Sequence, residues 1–134
     1  MNKKVSVAII GLAITASCCL AAHAQDIKAM LLKPANGWVI EWSSPDTRNS
    51  GVTEAMFVER GEGVVALLHI TETGAYTGGP LSCENNVNIA ADTISFDGCR
   101  NRNIVLSFDA GDRVYPLKSK SNSETGYIYK AKVK

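Results

Sequence analysis

Few residues of this chain could do chemistry, and two cysteines are the most suggestive. Cys83 and Cys99 bound the stretch CENNVNIAADTISFDGC. Neither belongs to a C-x-x-C pair or has a histidine beside it, so a disulfide is expected rather than a metal site. Such a bridge encloses fifteen residues (84–98) and is worth ~3 kcal/mol in chain entropy. His69, inside VVALLHIT, is the one histidine beyond residue 24. General-base work there needs a nucleophile or carboxylate brought to it by the fold. The chain has no G-x-S-x-G, no H-E-x-x-H and no phosphate loop. A glycosidase pair would leave no local signature among so many carboxylates. DAGD (109–112) lacks the ligand spacing of a calcium loop and reads as a turn. No catalytic residue, metal or cofactor is assigned.

Aromatic residues are the better lead. Trp38, Trp42, Tyr127 and Tyr129 sit on the first and last strongly alternating segments. If a sheet closes, their rings share one interior. They then form either a core or the wall of a ligand cavity at a barrel mouth, suited to a small molecule or glycan.

The N-terminal segment sets the compartment. Lys3 and Lys4 precede an apolar run, Val5 to Ala16, too short to span a bilayer, followed by Ala22-His23-Ala24. This is the pattern of a secretory signal peptide (1–24), cleaved before Gln25. A second reading acylates Cys18 after Thr15-Ala16-Ser17, although Thr15 stands where such sites carry a bulky aliphatic residue. Cleavage leaves residues 25–134 as one domain, periplasmic or extracellular, with two cysteines and no transmembrane segment.

Charge is close to balanced, at +1 for the full chain, but segregated. Acids dominate before Cys99. After it come Arg100, Arg102, Arg113, Lys118, Lys120, Lys130, Lys132 and Lys134 against Asp109, Asp112 and Glu124. Either first and last strands are neighbours whose opposite signs pair, or the late cations form a basic face for an acidic partner. Nucleic acid is not expected, because the basic residues are not interleaved with exposed aromatics.

The elements that must position these residues are mostly strands. GWVIEWSS alternates, with Trp38, Ile40 and Trp42 on one face. VTEAMFVE and VVALLHIT flank the turn RGEG, the second apolar on both faces. AYTGGPLSCENN contains Gly78, Gly79 and Pro80, so a strand there is expected to be short or bulged. Thr93–Asp97 and NIVLSFD follow, then VYPLKSKS, where Pro116 permits only an edge or a bulge. YIYKAKVK places Tyr127, Tyr129, Ala131 and Val133 inward. DIKAMLL has helical spacing, Asp26 as a candidate cap and Pro34 beyond its end. Gly37-Trp38 after such a segment resembles the opening of lipocalin-type barrels, but the spaced Gly-x-Trp pattern is not reproduced and no residue role is carried over.

The expected fold is all-β: an antiparallel meander of about seven to eight short strands, closed as a barrel or folded as a sandwich, with one disulfide and a short N-terminal helix. The expected function is non-enzymatic binding of a small ligand or glycan. The alternatives are a protein-interaction module, such as an inhibitor of a secreted hydrolase, and a hydrolase without a recognisable motif.

Overall fold

A computed structural model describes residues 24–45, 49–74, 80–99, 103–120 and 126–134. The expected signal segment, with Cys18 and Cys19, lies outside the described residues except for Ala24, which begins α1. Helix α1 runs through 24–32. Eight strands follow: β1 Trp38–Ser43, β2 Asn49–Arg60, β3 Gly63–Gly74, β4 Leu81–Ala90, β5 Thr93–Asp97, β6 Asn103–Phe108, β7 Leu117–Ser119 and β8 Ile128–Val133. Each pairs antiparallel with the next, and β8 pairs with β1, so the sheet is a closed barrel.

Two-residue alternation sets the register. Trp38, Ile40 and Trp42 are buried, as are Tyr129 and Ala131 opposite them on β8. The same pairing sets Glu41 against Lys130 on the outer wall. A one-residue slip would bury those charges unpaired, at a cost of several kcal/mol. The expected inward set needs two corrections. Tyr127 precedes β8 and is half-buried. Val133, at the end of β8 where the wall stops, is 54% exposed.

β2 hid its pattern because its inward residues are small. Gly51, Thr53 and Ala55 stand opposite Trp42, Ile40 and Trp38, so large rings fill the space that small partners leave. A Cβ added at Gly51 would fall 2.6 Å from Trp42 Cε2 and 2.7 Å from the Thr71 carbonyl oxygen.

Helix α1 packs into the core where β1 begins. Ile27 and Leu31, four apart and so on one helical face, are fully buried. Trp38 Nε1 donates to the Leu31 carbonyl oxygen at 3.1 Å, satisfying one of the acceptors a helix end leaves open. Gly37 joins helix to strand at φ +77°, where a Cβ would meet the Ala55 carbonyl oxygen at 2.5 Å. Asp26 is not the cap, because residue 24 is already helical.

The cysteines stitch a seam. β4 is ten residues long, neither short nor bulged. Its ladder with β5 covers only Asn88–Ala90. Beyond it, Cys83 and Cys99 form a disulfide with a Cα separation of 6.2 Å. Asn85 Nδ2 donates to the Asp97 carbonyl oxygen at 2.8 Å, in place of a strand hydrogen bond. Pro116 stands just before β7, and its carbonyl oxygen accepts the Asp109 N–H at 2.8 Å.

Candidate functional site

Trp38, Trp42 and Tyr129 belong to the buried core cluster with Ile40, Phe57, Phe96 and Leu106. Tyr127 packs against that cluster, edge-on to Trp42 at a centroid distance of 5.7 Å and 6.2 Å from Tyr129. Trp42, Tyr127 and Tyr129 come together, whereas Trp38 stands at the other end of β1 against α1, and only Tyr127 of the four keeps appreciable exposure.

Outside the barrel, the loop between β6 and β7 (109–116) holds itself in shape. Asp109 Oδ1 accepts the Gly111 N–H at 2.9 Å. Asp112 Oδ1 accepts the N–H groups of Val114 and Tyr115 at 3.0 and 2.9 Å. Asp112 Oδ2 lies 2.5 Å from Lys118 Nζ. These are Asx-type turns, in which a short carboxylate replaces missing backbone partners. The Lys118 ammonium and then the two amides pull the Asp112 pKa down to about 2. Both carboxylates of DAGD are thus spent on the loop itself.

Tyr115 fastens the loop to the wall. Its hydroxyl donates to Glu41 Oε2 at 3.0 Å, and Lys130 Nζ and Lys132 Nζ lie 5.2 and 5.6 Å from its ring centroid. Glu41 Oε1 takes Lys132 at 2.9 Å. The hydrogen bonds from Lys132 and Tyr115 hold the Glu41 carboxyl below its usual range, and Glu41 raises Lys132 in return.

Around this cluster the wall carries exposed aliphatic side chains among the charges. Val52, Glu41, Lys130 and Lys118 form one row across β2, β1, β8 and β7. Ile128, on the same face of β8 as Lys130, is 55% exposed, and Val52 is 39% exposed. Val114, beside Tyr115, is 60% exposed. A hollow of about 210 Å³ lies between β1 and β8, bordered by Glu41, Trp42, Ser43, Ile128 and Lys130.

A second hollow, about 560 Å³, opens on the outer wall of β2, β3 and β4. Met56 and Leu67 line it with Glu54, His69, Ser82 and Glu84. Glu54, His69 and Ser82 stand in one row across three strands. His69 Nδ1 meets Ser82 Oγ at 3.0 Å. The Glu54 carboxylate, however, is taken by Lys134 at 2.8 Å, and that hydrogen bond holds its pKa low. All three side chains are exposed. The carboxylate that would orient the imidazole is engaged elsewhere, so a hydrolytic centre has little support.

The segregated charges pair in part, as a closed sheet allows. Glu41–Lys132 and Glu54–Lys134 each join an early acid to a late lysine. Among the described residues, Arg113, Lys120 and Lys130 make no ion pair. Tyr115, Val114, Val52 and Ile128 escaped sequence reasoning. The single usable signal was the outward parity of Ile128 beside the inward Tyr129.

No family model, curated protein or solved structure matches the chain. Among the described residues no helix is long and apolar enough to cross a membrane, and no three His, Cys, Asp or Glu side chains gather as a metal site.

Proposed function

We propose that this is an exported protein-interaction domain whose contact surface is the outer wall of β8, β1 and β2 together with the β6–β7 loop. One observation carries this reading: exposed Val114 sits in a loop that its own hydrogen bonds hold in place and that Tyr115 fastens to β1, and exposed Val52 and Ile128 stand on the two strands that flank β1. A preordered loop loses little entropy on docking, and aliphatic side chains within a polar surround suit a protein partner. The core argues the same way, because Trp38, Trp42 and Tyr129 lie within it and are each at most 5% exposed. Export fits a disulfide that holds a seam of the barrel.

A photo-reactive residue at position 114 in the exporting cell tests the proposal, with position 67 in the other hollow as control. A discrete cross-linked exported protein from 114 and none from 67 supports it. Cross-links from 67 alone would move the contact surface to β2–β4.

The small-ligand or glycan reading keeps one supporting observation, the half-buried Tyr127 ring edge-on to Trp42. Quenching of tryptophan fluorescence by an added sugar, abolished in Tyr127→Ala, would favour it.

A further inference from the structure

We infer that the partner presents an acidic side chain flanked by aliphatic ones, and that its carboxylate docks on Lys130. This rests on the interaction surface proposed above and names the chemistry of what it meets. Lys130 occupies the centre of the Val52–Glu41–Lys130–Lys118 row. Its Cα partner on β7 is another lysine, Lys118, and on β1 it faces Glu41, which it helps to hold ionised without an ion pair at contact distance. Like charges directly opposite each other across a strand pair are unfavourable. The neighbours of Lys130 are already committed. Lys118 is held by Asp112, and Lys132 by Glu41 Oε1. Glu41 Oε2 accepts the Tyr115 hydroxyl. Lys130 is left over the Tyr115 ring with no ion pair among the described residues. Arg113, next to the exposed Val114, is in the same position.

A carboxylate arriving from outside would meet Lys130 without displacing an ion pair the domain makes to itself. Ile128 and Val52 lie on the same wall and are exposed. A small anion would meet the ammonium groups and leave these aliphatics wet. A polypeptide with an acidic residue between apolar ones meets both, which favours it as the occupant.

The test titrates the mature chain, followed by backbone amide NMR, with three synthetic peptides of equal length. One alternates Glu and Leu, one Lys and Leu, and one Glu and Ser. The Glu–Leu peptide is expected to shift the amides of Tyr115, Ile128 and Lys130, and to bind at least about tenfold more tightly than the other two. Lys130→Glu should cost about tenfold or more in that affinity, whereas Glu84→Lys in the other hollow should leave it unchanged. Because Lys130 is exposed, the folded spectrum of Lys130→Glu serves as the control for structure. Equal binding of the Lys–Leu peptide at this face would overturn the inference and leave the interaction surface standing. Equal binding of the Glu–Ser peptide would overturn the polypeptide assignment in favour of general anion binding. If no peptide shifted this face at millimolar concentration, both the inference and the surface would fall.

Discussion

The Trp42 indole lies directly on Gly51 of the neighbouring strand, in the space a side chain at that position would need. Gly51→Val therefore forces either the ring or the Thr71 backbone to move, and is expected to cost ~1–3 kcal/mol as overpacking. Gly63 is the matched control, because a Cβ there would have only the Arg60 carbonyl oxygen within 4 Å, at 3.8 Å. Gly63→Ala is expected to be neutral or to stabilise by up to ~1 kcal/mol through the unfolded chain. Urea unfolding of both variants measures the difference.

Tyr129 and Lys130 are sequence neighbours on opposite faces of one strand. Tyr129→Ala opens the core and is expected to destabilise by ~3–5 kcal/mol. Lys130→Ala is expected to change stability by less than ~0.5 kcal/mol. Reversed magnitudes would mean that the register of β8 is displaced by one residue.

Cys83–Cys99 and the Asn85 hydrogen bond hold the part of the β4–β5 seam that the ladder does not reach. Replacing both cysteines by Ala is expected to cost ~2–5 kcal/mol. Hydrogen exchange should then accelerate first along β4 and at Asp97, before β1 or β8 is affected.

Asp112 provides a pH test confined to one loop. Its folded pKa, about 2, lies below the ordinary 3.8, so the ionised carboxylate favours the ordered loop. That contribution is complete above about pH 4 and fades as pH falls through the interval from 3.8 towards 2. The Val114 and Tyr115 amides, which donate to Asp112, should lose exchange protection in that window. Asp112→Asn should show weaker protection already at neutral pH and little further change on acidification.

The legible parts of this fold were those in which a single property dominates. Trp38, Ile40 and Trp42 alternate with Val39 and Glu41, and YIYKAKVK alternates ring with lysine, so both strands and their shared interior could be placed from period alone. β2 was harder, because Gly51, Thr53 and Ala55 point inward without looking like core. β4 was obscured by Asn85, a polar residue on the inner face that is satisfied by Asp97 across the seam. The proposed interaction surface was largely illegible. Tyr115 lies 74 residues beyond Glu41, and only the closed topology brings the β6–β7 loop onto β1. The charge asymmetry was visible in sequence, but which lysines would make ion pairs with early acids depended on closure, which sets β8 beside β1.

Closure through β1 and β8 also imposes an order on how the molecule can be made. The long β2–β3 hairpin pairs residues near in sequence and can form as soon as Gly74 is available. The pairing of Trp38 with Val133 waits until the last strand has emerged. Until then the nascent sheet has two free edges, each a template for another chain, and loop closure over nearly the whole domain is the slow step. A product stopped before Ile128 would never remove those edges. In a chain that emerges in sequence order, the arrival of the final six-residue strand is the event that turns an adhesive sheet into a sealed one.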